Sequence, residues 1–149
     1  MNITNPSSQF RINFSGCILF LILLLGIFSC TGGLEGKLVG TWRGSDFLFQ
    51  KTEGPDLVAT INGGLDLHLD SKLILNEDGT YEMLVREYDN GKGTWVLEDD
   101  RLITTGESGN ELVYQLFKVT DNELIIRHDV TLDTPMGELV GKITLSYSR

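Results

Sequence analysis

From Leu38 onward, apolar residues recur at every second position, and nowhere does the chain hold a helical period for the roughly ten residues that a helix requires. That pattern points to an all-β fold. Leu65-Asp-Leu-His-Leu69, Tyr81-Glu-Met-Leu-Val85 and Ile143-Thr-Leu-Ser-Tyr147 alternate, so each should turn one side to a core and the other to water or a cavity. Turn-forming residues punctuate the pattern at Asn62-Gly63-Gly64, Asp78-Gly79, Asp89-Asn-Gly91, Asp99-Asp100, Gly106 to Asn110, Asp121-Asn122 and Asp133 to Gly137. Pro55 and Pro135 fall in the expected loops, where a missing amide donor costs nothing.

The expected strands are residues 38–50, 56–61, 65–76, 80–88, 92–98, 101–106, 111–120, 123–132 and 138–148. Eight or nine strands joined by tight turns make an up-and-down antiparallel sheet. With no helix to cover one face, such a sheet buries its apolar side by closing into a barrel, which also removes its edges. A two-sheet sandwich is the alternative; the short turns favour nearest-neighbour hairpins and hence the barrel.

The segment before this pattern has a different character. Residues 1–29 carry one positive charge, Arg11, followed by the apolar run Cys17 to Phe28, which is shorter than the about 20 residues needed to span a bilayer. Ile27-Phe28-Ser29-Cys30 resembles the lipobox of bacterial lipoproteins, with an aliphatic residue three positions before the cysteine and a small one immediately before it; Phe28 stands where a small residue is usual. The resemblance implies a signal peptide over 1–29, a lipidated Cys30 with a short tether over 30–37, and one domain over 38–149. It also implies an extracytoplasmic protein anchored by acyl chains to the cell envelope, at the bacterial outer membrane. An ordinary signal peptide or an uncleaved membrane anchor are the alternatives.

With Cys17 in the leader and Cys30 acylated, no cysteine is left for a disulfide, a metal or catalysis. Residues 30–149 hold 11 basic and 21 acidic residues, a formal charge of −10. That balance argues against nucleic acid as a partner. The seven residues Thr31 to Lys37 reach about 23 Å at full extension, which keeps the domain close to its membrane.

The first strand contains Gly40-Thr41-Trp42. Here the chain resembles the lipocalin-like (calycin) families, in particular the small lipocalin-like lipoproteins of bacterial envelopes. The resemblance implies an up-and-down barrel whose Gly-x-Trp strand plugs one end, the glycine allowing a bend and the indole packing across the barrel bottom. Leu73 to Glu82, strand then Asp-Gly turn then strand, fits the same habit, and a second Gly93-Thr94-Trp95 opens a later strand. No Thr-Asp-Tyr motif, no arginine-bearing last motif and no C-terminal helix are placed. The helical lid that fatty-acid-binding proteins insert after the Gly-Thr-Trp strand is not expected either, because residues 51–64 are rich in Gly, Pro and Asp.

The expected interior side chains are Trp42, Phe47, Phe49, Leu67, Leu69, Leu75, Tyr81, Met83, Val85, Trp95, Tyr114, Leu116, Ile126, His128 and Tyr147, with a bulge at Gly44-Ser45 switching faces between Trp42 and Phe47. An eight-stranded barrel is just wide enough inside for these side chains alone or for one small ligand. Asp66, His68 and Asp70 would share a strand face, a spacing open to metal ligation, but a solvated exterior explains them better and no metal site is assigned. His128 would point inward, as a polar group in a cavity or even a haem ligand; a histidine satisfied by a neighbouring strand accounts for it more simply. No nucleophile turn, zinc motif or phosphate loop is present, so no enzyme, no catalytic residue and no cofactor are expected.

The favoured expectation is a lipid-anchored envelope protein that binds or carries a small hydrophobic molecule. The alternatives are a protein-binding or inhibitory lipoprotein, its acidic surface meeting a cationic partner, and a structural accessory subunit with a filled barrel.

Overall fold

A computed structural model of the protein describes residues 33–56, 58–86 and 88–149. The leader and Cys30 lie outside the described residues. A helical turn, α1 (Leu34–Leu38), leads into β1 (Gly40–Glu53), followed by helix α2 (Val58–Leu69), β2 (Ser71–Leu75), β3 (Thr80–Val85), β4 (Tyr88–Glu98), β5 (Arg101–Gly106), β6 (Glu111–Val119), β7 (Glu123–Thr134) and β8 (Gly137–Ser148). Each strand pairs antiparallel with the next, and β8 returns to β1, closing an eight-stranded up-and-down barrel.

The tight turns lie where the sequence places them. Gly79, at φ 80°, completes the β2–β3 hairpin, with the Asp78 carboxylate accepting from the Thr80 amide at 2.9 Å. The ladder of β1 on β8 slips between Gly44 and Asp46, which is the bulge expected there. Below it Trp42 points into the barrel, and above it Phe47 and Phe49 are half-buried.

Two expectations fail between β1 and β2. Of the expected strands 56–61 and 65–76, residues 58–61 and 65–69 belong instead to α2, and a helix does follow the Gly-Thr-Trp strand. In a five-residue window the Leu65 to Leu69 alternation cannot distinguish the two periods. The buried positions show which one holds. Gly64 and Leu65 are partly buried and His68 is buried, a 3–4 spacing, while Leu67 and Leu69 are 51% and 46% exposed. Tertiary contact overrides the poor helix propensity of Gly63-Gly64. A Cβ on Gly64 would lie 3.2 Å from the Phe47 ring, and one on Gly44 only 1.8 Å from the His68 carbonyl oxygen, so both glycines permit the helix to approach β1 closely.

The start of the domain also differs. The first strand begins at Gly40, not at residue 38, and residues 34–37 of the expected tether lie in α1. Leu38, at its end, is fully buried.

The barrel end where β1 begins is plugged. Leu38, Trp42, Leu75, Trp95, Leu102 and Leu124 pack there with Leu97 and Val119 against them. The Trp42 indole Nε1–H donates to the Leu38 carbonyl at 2.7 Å, and the Arg149 guanidinium lies 3.9 Å from the Trp42 ring centroid. Arg149 also donates to the Val39 carbonyl at 3.0 Å and to that of Lys37. An arginine therefore does close the final strand over the tryptophan, although the sequence reading placed none. Gly40, at φ 131°, takes a backbone conformation that a side chain would strain. Trp95 repeats the arrangement, its Nε1–H donating to the Asn76 carbonyl at 3.1 Å.

Candidate functional site

The other end of the barrel, where β5 ends and β6 begins, opens into a cavity of about 530 Å³. That lies within the range of about 300–1,000 Å³ typical of small-molecule pockets. Its position follows from strand chemistry. Leu102 and Thr104 on β5 and Leu112 and Tyr114 on β6 alternate inward, and the register pairs Leu102 with Tyr114 and Thr104 with Leu112. Leu73 on β2 and Met83 on β3 face each other across the next wall, and Ile126 and Tyr147 close the far side. Asn90, Gly91, Lys92, Glu107, Ser108 and Asn110 form the rim, with Lys92 and Glu107 paired at 3.8 Å.

Below the rim, three phenols and a threonine supply the polar groups of an otherwise apolar lining. Burial pushes the Tyr114 phenol up to about 12, the nearby Tyr81 adding to the effect and the Thr104 hydroxyl opposing it. Burial, reinforced by Tyr114, also raises the Tyr147 phenol above its ordinary range. Both stay protonated at neutral pH, so each keeps an O–H that can donate.

Apart from His128, the expected interior residues divide into four groups. Tyr81, Met83, Tyr114, Ile126 and Tyr147 line the cavity. Trp42, Leu75 and Trp95 are buried in the plug, with Leu116 packed against them, and none of these four lines the cavity. Phe47 and Phe49 are partly buried beside α2 and β8, and Val85 is partly buried at the end of β3. Leu67 and Leu69 do not point inward at all; placing them there assumed a strand where the chain forms a helix.

His68 does not have the environment expected of it. His68 is buried on α2 and donates from Nε2 to the Ser146 carbonyl at 2.8 Å, its ring edge-on to Tyr147 at 4.7 Å. Burial lowers its pKa, against the opposing pull of the Ser146 carbonyl and Asp46. Asp70, just beyond the helix, pairs with Arg86 at 2.7 Å, so Asp66, His68 and Asp70 form no common strand face. Among the described residues no group of three or more His, Cys, Asp or Glu side chains comes together as a metal site.

His128 is partly buried and its ring is 5.1 Å from that of Tyr114. It borders a second, outer groove of about 570 Å³. The groove exists because the β6–β7 ladder runs only from Gln115–Arg127 to Val119–Leu124, leaving Glu111 to Tyr114 without a β7 partner. Burial lowers the His128 pKa too, opposed by the Asp129 backbone and carboxylate.

Leu73, Leu102, Thr104 and Leu112 line the cavity but were not anticipated. Leu73 shares the inward face of β2 with Leu75, and Thr104 follows Leu102 at strand spacing, so the alternation that located their neighbours also contains them.

A sequence model of the lipocalin-like domain matches residues 38–126, more than half of the chain. The matched stretch runs from the end of α1 through the first residues of β7, and β8, beyond it, completes the closure. No curated protein matches the chain. With the Gly-x-Trp plug, the arginine stacked upon it and the closed eight-stranded meander in agreement with that match, the chain belongs to the lipocalin-like domain family.

Proposed function

We propose that the protein binds or carries a small hydrophobic molecule inside the barrel and performs no chemistry on it. The observation that supports this reading is the cavity of about 530 Å³, walled by Leu73, Met83, Leu102 and Ile126 and open at the end opposite the tryptophan plug. Burying a ligand against such walls yields about 25 cal/mol per Å² of apolar surface removed from water. The lipobox-like Ile27 to Cys30 supports the further proposal that binding takes place at the cell envelope, from an acyl anchor on Cys30.

A fluorescence titration with an uncharged, environment-sensitive dye tests the binding reading. Saturable one-to-one binding is expected, and Met83→Trp, which places an indole in the cavity, should abolish it without changing the β-sheet circular dichroism. Equal dye binding by the wild type and Met83→Trp would place the dye on the surface and remove the support for an internal site. The acyl anchor is tested separately, by mass analysis of the mature N-terminus after expression in a bacterium.

A further inference from the structure

The cavity has a polar floor that the protein leaves incomplete. Tyr147 is 1% exposed, yet no group among the described residues hydrogen-bonds its hydroxyl. Among the described residues no fully enclosed side-chain nitrogen or oxygen lacks a partner, so the Tyr147 oxygen keeps contact with the open space of the cavity. A buried hydroxyl without a partner costs about 1–3 kcal/mol, and a lining that retains one presents a donor to whatever enters. The Tyr114 phenol lies close enough to act electrostatically on Tyr147, and that of Tyr81 on Tyr114.

Among the described residues, no charged side chain reaches this floor. Lys92 is the only cation among the described residues that line the cavity, and it sits at the rim, half exposed, opposite Glu107. The two histidines that touch the phenol rings, His68 against Tyr147 and His128 against Tyr114, are both held toward the neutral form by burial. Asp46 and Asp129 are the acidic groups acting on them. A carboxylate or phosphate carried to the floor would lose its water with no cation to replace it, which is costly. An uncharged acceptor oxygen loses far less and gains the waiting O–H donor.

We propose that the cavity takes an uncharged amphipathic molecule head-first, its carbonyl or hydroxyl oxygen seated on the phenols of Tyr147, Tyr114 and Tyr81 and its hydrocarbon against Leu73, Leu102 and Ile126. The inference rests on the binding reading above and assigns the ligand's chemical class and direction of entry.

Displacement of bound Nile red from the full chain at pH 7.5 by nonyl methyl ketone and by undecanoate, which have equal carbon number, separates the two head groups. The ketone is expected to compete at least tenfold better than the carboxylate. Tyr147→Phe should weaken the ketone about five- to tenfold, the worth of one hydrogen bond, once the competition is corrected for that variant's own Nile red affinity, and the thermal melt is not lowered. Undecanoate competing as well as the ketone, or a ketone affinity unchanged in Tyr147→Phe, would overturn the proposal while leaving a hydrophobic cavity in place. Failure of Nile red itself to bind would overturn both readings together.

Discussion

Replacing Trp42 by Phe keeps an aromatic ring in the plug and removes the indole N–H that bonds the Leu38 carbonyl at 2.7 Å. Both residues are fully buried, so the orphaned carbonyl has no water to turn to. Its desolvation costs about 1–3 kcal/mol. The smaller ring leaves a void at least the size of a methyl group, which adds about 1 kcal/mol. The total is about 2–4 kcal/mol, or a melting point lowered by about 8–16 °C for a domain slightly above one hundred residues. Trp42→Ala would cost about 3–5 kcal/mol from truncation alone, enough to unfold a marginal domain, so the Phe variant is the quantitative one. Thermal melts followed by circular dichroism, with urea titrations to extract free energies, read the loss directly. Arg149 supplies an internal control, because its guanidinium stacks on the indole and should contribute less over the weaker phenyl quadrupole. Arg149→Ala should therefore destabilise the Trp42→Phe protein less than the wild type. A Trp42→Phe melt within about 2 °C of wild type would refute the reasoning that this indole and its hydrogen bond close the barrel.

Gly44→Ala places a Cβ 1.8 Å from the His68 carbonyl oxygen, so the end of α2 must move, and a loss of about 1–3 kcal/mol in urea melts is expected. By contrast, Leu67→Gln and Leu69→Gln lie on the exposed side of that helix and should each shift stability by less than about 0.5 kcal/mol; large losses would return these leucines to the interior. The folded pKa of His68 is depressed below the unfolded value of about 6.5, so the unfolded chain takes up its proton first as the pH falls. The stability associated with neutral His68 is complete above about pH 6.5 and is lost progressively as the pH falls from there toward the folded pKa. His68→Gln should flatten that segment of the stability profile, measured by urea melts across the acid range, and an unaltered slope would exclude His68 as its source.

The strand meander was legible because alternation over β3, β6, β7 and β8 is long enough to exclude a helical period, and because Asp78-Gly79 and the bulge at Gly44-Ser45 are written in residues with few other uses. Helix α2 was not legible. Its signature, Gly64 and Leu65 with His68, is a contact face that becomes visible only when Phe47 and Gly44 are set against it, whereas Leu65, Leu67 and Leu69 imitate a strand. Arg149 was missed for a related reason: nothing local links it to Trp42, which lies across the β1–β8 closure. Among the expected interior residues, sequence periodicity could separate inside from outside but not plug from cavity. Trp95 and Tyr114 both point inward, and only their heights along the barrel place one under the floor and the other in it. The unfilled valence of Tyr147 is a tertiary fact and leaves no trace in the sequence.

The most direct test of the central claim is native mass spectrometry of the protein purified from bacterial extract, compared with the same sample after denaturation. The account predicts an additional mass of a few hundred daltons that denaturation releases and that Met83→Trp, its cavity occupied, does not carry. A mass equal to that of the chain alone, in a sample that also fails to take up an uncharged dye, would contradict an open ligand-binding barrel.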